Sequence, residues 1–172
     1  MAELARIFFN IALLRRGPQD LPASKFLLGA LLLVSGLVNL AVALAFELDT
    51  RLMLARFALA AVLSLVLTIA ILSVASRPQR FLQTATALIG AELVTVPLAL
   101  LLFILAKPYH DFTHHPPWLQ FLDGLYEAWN IVIAGYVYRM ALERSLLAGV
   151  LLAFACEIIV VLAVQGAFPP PA

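Results

Sequence analysis

Three acidic residues, Glu92, Glu127 and Glu157, lie deep inside long apolar stretches of this sequence. Each is eleven or twelve residues from one polar end of its stretch. At the rise of an α-helix this separation is roughly 16 to 18 Å, so on membrane-spanning helices all three acids fall near the middle of the bilayer. Because an ionised carboxylate is costly at that depth, we expect the three acids to share a polar interior with Asn130.

Two interpretations of these acids stand side by side. In the functional one, they bind a cation, relay protons or face the cationic part of a ligand. In the structural one, some are protonated and join helices through hydrogen bonds, or they pair with an arginine of this chain or of a partner subunit. Glu157 is expected to matter most, because the stretch around it is otherwise so apolar. A Glu157→Gln variant with unchanged assembly and activity would contradict that ranking.

The polar stretch 107–117 is a second place where chemistry could occur. Its candidate metal ligands are His110, Asp111, His114 and His115. His110 and His114 are four residues apart, so a helix would place them on one face, as a metal site requires. The prolines at 108, 116 and 117 oppose a regular helix. We therefore expect a solvated loop and no bound cofactor, with metal handling as a weaker alternative.

The composition indicates a membrane protein. Of the 172 residues, 64% are hydrophobic and 12% are charged, whereas soluble domains have about 45–50% apolar and about 25% charged residues. The formal net charge of +1 opposes a nucleic-acid partner, which would need a basic face. The single cysteine, Cys156, lies in an apolar run and is expected to be a small core residue.

The apolar stretches predict an all-α bundle of five transmembrane helices that forms one membrane domain over residues 1–172. The predicted spans are 26–46, 52–75, 81–106, 118–140 and 145–164. Pro97 lies inside the third span and removes the usual partner of the Leu93 carbonyl, so a kink is expected there. Residues 1–16 are too short to span, and their apolar face at helical spacing predicts an amphipathic helix at the membrane interface.

The distribution of basic residues predicts the orientation. With five spans, eight Lys and Arg residues lie on the side of the N-terminus, and three lie on the other side, namely Arg51, Arg56 and Lys107. The richer side is expected to be cytoplasmic. The N-terminus is then inside, and both the histidine loop and the C-terminus are outside, in a bacterial inner membrane.

The element Gly17–Ser24 before the first span resembles the corresponding segment of small bacterial proteins of the Yip family, and Gly135-Tyr136 is similar to a glycine–tyrosine pair of that family. The five closely spaced spans follow the same plan. The resemblance implies a membrane scaffold without catalysis, and the sequence carries no catalytic motif. Our leading expectation is a non-enzymatic accessory protein that binds other membrane proteins, or itself, through its spans. The alternative is a small proton, cation or solute conductor that uses the intramembrane acids.

Overall fold

The computed structural model describes residues 2–109 and 115–169, and within those ranges the regular structure is entirely helical. The elements are α1 (Ala2–Ala12), α2 (Lys25–Ala45), α3 (Thr50–Val74), α4 (Phe81–Ala106), α5 (Pro117–Leu142) and α6 (Leu146–Ala167), with short 3₁₀ turns at Pro18–Asp20 and Pro78–Arg80. The predicted all-helical membrane bundle is therefore confirmed.

Four helices are long and apolar enough to cross a membrane: α2, α3, α4 with the turn before it, and α6. Helix α5 is as long as α4, at 26 residues. Its aspartate, glutamate, asparagine and aromatic residues keep it outside the apolar set. The count of five spans consequently stays a prediction.

Side chains fix where three of the helices begin. The hydroxyl of Ser24 accepts a hydrogen bond from the N–H of Leu27 at the start of α2, at 3.2 Å. Asp49 does the same for α3, and Ser145 for α6. Because the first N–H groups of a helix have no partner within the helix, such caps stabilise each start by about 1 kcal/mol.

Four helices end in the same way. At the end of α1, α2, α3 and α5 one residue adopts the left-handed conformation, and the N–H after it bonds to the carbonyl five residues back. Glycine usually takes this position, but here the residues are Leu14, Glu47, Ser76 and Glu143. These ends allow the sharp reversals that bring successive helices together.

Helix α1 packs inside the bundle. Its apolar residues Ile7, Phe8 and Ile11 are buried at 0–7% exposure in a cluster with residues of α4 and α5. The Phe8 ring fills the space beside Gly90, where an added Cβ would lie 2.2 Å from a ring atom. The amphipathic helix predicted for residues 1–16 is thus present over Ala2–Ala12, with its apolar face packed on α4 and α5. Its position at the membrane interface stays a prediction, and packing at the end of the bundle is compatible with it.

Candidate functional site

The three intramembrane acids and Asn130 line one cavity of about 360 Å³, which we call the central cavity. It lies between α3, α4, α5 and α6. The polar residues around it are Ser64, Glu92, Tyr126, Glu127, Asn130, Tyr138 and Glu157. The equal depth that the sequence predicts for the acids therefore coincides with a shared polar space, which requires each helix to turn its acid toward the same point.

A hydrogen-bonded pair positions Glu92 and Asn130. The hydroxyl of Thr95, three residues after Glu92, lies 3.0 Å from Asn130 Oδ1 and 2.9 Å from the Glu92 carbonyl. The Asn130 side-chain NH₂ donates to the carbonyl of Tyr126 at 2.9 Å. Asn130 is thereby satisfied, and it ties α5 to α4 beside the acids. Its role is to position the wall of the cavity.

Unlike the Asn130 side chain, the carboxylates of the three acids are not satisfied by hydrogen bonds from the described residues. All three residues are exposed. Within residues 2–109 and 115–169, no side chain or backbone group donates a hydrogen bond to the carboxylate of Glu92, Glu127 or Glu157. Their oxygens are therefore available to a positively charged group in the cavity.

A second cavity of about 230 Å³, the α2-side cavity, adjoins the first and shares Glu92 and Glu157 with it. Ser35 of α2 also lines it. The Ser35 side chain is only 5% exposed, and its hydroxyl has no hydrogen-bond partner among the described residues. This oxygen is buried within the wall and is not exposed to the space of the cavity.

A third cavity of about 590 Å³, the end cavity, extends from Glu92 to the turn between α2 and α3. Asn39, Asp49 and Arg56 line it. Nη2 of Arg56 donates to the carbonyl of Phe168 at 2.8 Å, at the end of α6. Glu92 thus lines all three cavities.

A buried layer bounds the central and α2-side cavities on the side away from Arg56. Thr68 lies twelve residues beyond Arg56 on α3, and its hydroxyl is 3.0 Å from the hydroxyl of Tyr138 on α5. Thr68 donates to the carbonyl of Ser64 at 2.7 Å, so Tyr138 donates to Thr68. Both side chains are buried, as is Leu72 one turn further. A further cavity of about 250 Å³, lined by Arg80 and Glu143, lies beyond this layer.

Beyond the buried layer of Thr68, Tyr138 and Leu72, an ion-pair cluster joins two turns. We call it the arginine clasp. Arg77 and Arg80, before α4, each lie 2.6 Å from one carboxylate oxygen of Glu143, after α5. Arg80 also donates to the carbonyl of Ala141 at 2.8 Å. Hydrogen bonds from the two guanidinium groups lower the pKa of Glu143 to about 2. The clasp fixes the turn before α4 to the end of α5.

The clasp gives a pH prediction. Because the pKa of Glu143 is about 2 in the folded protein and 4.5 ordinarily, its contribution is fully present above pH 4.5 and is lost as the pH falls toward 2. We expect the difference in unfolding temperature between wild type and Glu143→Gln to disappear over that interval. Glu47→Gln is the matched control, since Glu47 holds the same left-handed position in α2 without an ion pair among the described residues. An equal pH response of both variants would contradict the prediction.

Helices α5 and α6, which both line the central cavity, contact each other at two glycines. A Cβ on Gly149 would lie 2.1 Å from the carbonyl oxygen of Gly135, and a Cβ on Gly135 would lie 2.6 Å from Val150 Cα. Such backbone contact is typical of small residues at helix interfaces in membranes. Sequence reasoning missed this contact, although the two glycines on neighbouring predicted spans were a signal for it.

Of the four candidate metal ligands in the stretch 107–117, only His115 is among the described residues. His110, Asp111 and His114 lie outside the described residues. His115 is buried, with Nδ1 at 4.0 Å from Asp123 Oδ2. Among the described residues, no three histidine, cysteine or acidic side chains lie close enough together to hold a metal ion. The three acids of the central cavity are included in that statement.

Comparison with protein families, curated proteins and solved structures found no match to this chain. The cavities and the residues that line them are therefore the basis for inferring a function.

Proposed function

We propose that this protein binds a positively charged group, a proton or the cationic end of a small solute, in these three cavities and conducts it across the membrane. The observation that carries the proposal is the placement of Glu92, Glu127 and Glu157, from three helices, around one space. Acids within membrane-spanning helices that face a water-filled space are typical of ion and proton pathways.

The spacing of the acids favours a proton or an organic cation over a coordinated metal ion. A metal ion needs several ligands within about 2–2.6 Å, and no three acidic, histidine or cysteine side chains of the described residues are grouped closely enough for one. A proton requires a single carboxylate at a time. An ammonium group has three donors and can bridge acids that lie further apart.

Flux measurement in liposomes tests this proposal. We expect the purified full chain to conduct protons, or a small ammonium ion, under an imposed potential, and the triple variant with Gln at positions 92, 127 and 157 to conduct at the level of empty liposomes. Glu3→Gln is the matched control, because Glu3 is an exposed acid on α1 and lines none of the three cavities. Equal flux through wild type and triple variant would refute the proposal.

A second candidate function is the non-enzymatic accessory or scaffold role, which the resemblance to the Yip family also favours. The observation that supports it is the first half of α5. This half exposes large side chains, with Phe121 at 69% and Leu125 at 56%, on a long helix that is less apolar than the four spanning ones. A partner helix from another membrane protein, or from a second copy, would cover that surface.

Purification of the tagged chain in mild detergent distinguishes the two functions. A scaffold is expected to bring down one membrane protein in a fixed ratio, and Phe121→Ala is expected to weaken that association. Phe26→Ala is the matched control, because Phe26 is equally exposed, at 86%, on α2. Isolation of the chain alone, without loss of flux, would favour the conductor.

The proposed topology has five spans. We propose that α5 is the fifth span, since it is long enough and packs between α4 and α6. The N-terminus is then cytoplasmic and the end cavity, near Arg56, faces the periplasm of a bacterial inner membrane. Reporter fusions at the two termini should report opposite sides.

A further inference from the structure

The end cavity presents opposite charges at its two ends. Glu92 lies at its inner end, and Arg56 lies near its mouth, where Asp49 and Asn39 also line the wall. Asp49 already caps α3, with Oδ1 accepting from the N–H of Leu52 at 3.0 Å. Within the described residues, no carboxylate lies within ion-pair distance of Arg56. In the wall of a cavity, an unpaired guanidinium repels a bare cation.

The guanidinium of Arg56 is only partly satisfied. One terminal nitrogen donates to the carbonyl of Phe168. The Nε–H is buried and has no hydrogen-bond partner among the described residues. Arg56 as a whole lines the end cavity. A guanidinium favours a planar or tetrahedral anion such as a carboxylate or phosphate.

The other end of the same space favours the opposite charge. The Glu92 carboxylate receives no hydrogen bond from the described residues. Glu157 shares the adjoining α2-side cavity with it. An ammonium group supplies three N–H donors, enough for more than one carboxylate oxygen. The volume of about 590 Å³ is within the usual range for a small-molecule site.

We propose that the end cavity binds a small zwitterion, with its anionic group on Arg56 and its ammonium group on Glu92. This inference rests on the proposed function, because it takes Glu92 to be the cation site and names the class of ligand that brings the cation. The same chemistry occurs in a free solute with an ammonium and an acidic group and in the headgroup of a zwitterionic lipid. Both sources place an ammonium a few bonds from an anion.

The unfolding temperature of the full chain in detergent, measured against ligand concentration, tests the zwitterion. The probes are glycerophosphoethanolamine, which carries both charges, ethanolamine, which carries the cation alone, and glycerol phosphate, which carries the anion alone. We expect the zwitterion to bind about tenfold or more tightly than either single-charge probe, since a hydrogen bond to a charged group contributes that much affinity. This comparison uses wild-type protein and needs no variant to fold.

Two variants then separate the two ends. Arg56→Gln is expected to reduce the affinity for the zwitterion to that for ethanolamine, and to leave the affinity for ethanolamine unchanged. Glu92→Gln is expected to remove the binding of both. Arg56→Lys keeps the charge and can keep the bond to Phe168, so it serves where the glutamine variant does not fold, and it should lose part of the zwitterion preference because it lacks the guanidinium fork.

A zwitterionic lipid and a free solute are distinguished by whether the headgroup must be part of a lipid in a micelle. Stabilisation by micelles that contain phosphatidylethanolamine, but not by the soluble headgroup, assigns the zwitterion to a lipid, and the converse assigns it to a free solute. Equal affinities for zwitterion and ethanolamine, or an unchanged zwitterion affinity in Arg56→Gln, would overturn the inference and leave the cation site intact. Absence of ethanolamine binding together with absence of flux would overturn the proposed function itself.

Discussion

Glu92→Gln is expected to reduce flux by about tenfold or more, and by a larger factor than Glu127→Gln or Glu157→Gln. Glu92 lines all three cavities, whereas Glu157 lines two and Glu127 lines one. On the proposed path through these cavities, a moving group therefore passes Glu92. The size of the effect corresponds to one charge-assisted hydrogen bond, which contributes about 1.5–3 kcal/mol.

The three single variants should be compared in the same liposome assay at equal protein content. Glutamine keeps the size of glutamate and one acceptor oxygen, but it has no charge and no proton to transfer, so a loss of flux reports mainly these two properties. Glu3→Gln again serves as the control outside the cavities. If Glu157→Gln has the larger effect, the ranking suggested by the apolar surroundings of Glu157 is right, and the proposed path through Glu92 is wrong.

Gly149→Ala is expected to destabilise the bundle by about 1–3 kcal/mol, as overpacking of a tight interface does. The added Cβ would lie 2.1 Å from the carbonyl oxygen of Gly135, and that atom belongs to the backbone of α5. A flexible side chain could move away from such a contact, but a helix backbone cannot do so without separating α5 from α6. The expected consequence is a lower unfolding temperature and a wider central cavity.

The same helix supplies the control for this prediction. Gly166 lies near the end of α6, and a Cβ there would meet nothing within 4 Å. Gly166→Ala is therefore expected to be neutral or slightly stabilising, because alanine has the higher helix propensity. Thermal unfolding of both variants in one detergent checks the difference. Equal unfolding temperatures for the two would show that the contact between α5 and α6 yields more easily than its geometry implies.

The sequence predicts the helices of this protein well because apolar length is a property of the chain in one dimension. The third predicted span, 81–106, has the same bounds as α4. The depth of each acid follows from the same counting. The equal depth of Glu92, Glu127 and Glu157 could thus be predicted, and with it the suggestion that they belong together.

The rotation of each helix about its axis could not be predicted, because spans that face lipid on one side and protein on the other are apolar all round. Ser35, Arg56 and Phe168 are examples. No pattern in the sequence indicates that the Ser35 hydroxyl is buried without a partner. Arg56 and Phe168 form a hydrogen bond although they are 112 positions apart. The apolar face of α1 is a related case. Such a face fits a lipid surface and a protein groove equally well, so the sequence alone does not decide between them.

The arginine clasp has a mechanical consequence for the bundle. It fastens one end of α5, and α5 lines the central cavity from Tyr126 to Tyr138. Helix α5 has 26 residues, so it is roughly 39 Å long. A rotation of about 5° around the clasp would displace the far end by roughly 3 Å over that length, and the fastened end would stay in place. The clasp would thus act as a pivot, and rotation of α5 around it would move the wall of the central cavity more at Tyr126 than at Tyr138, which lies nearer the clasp.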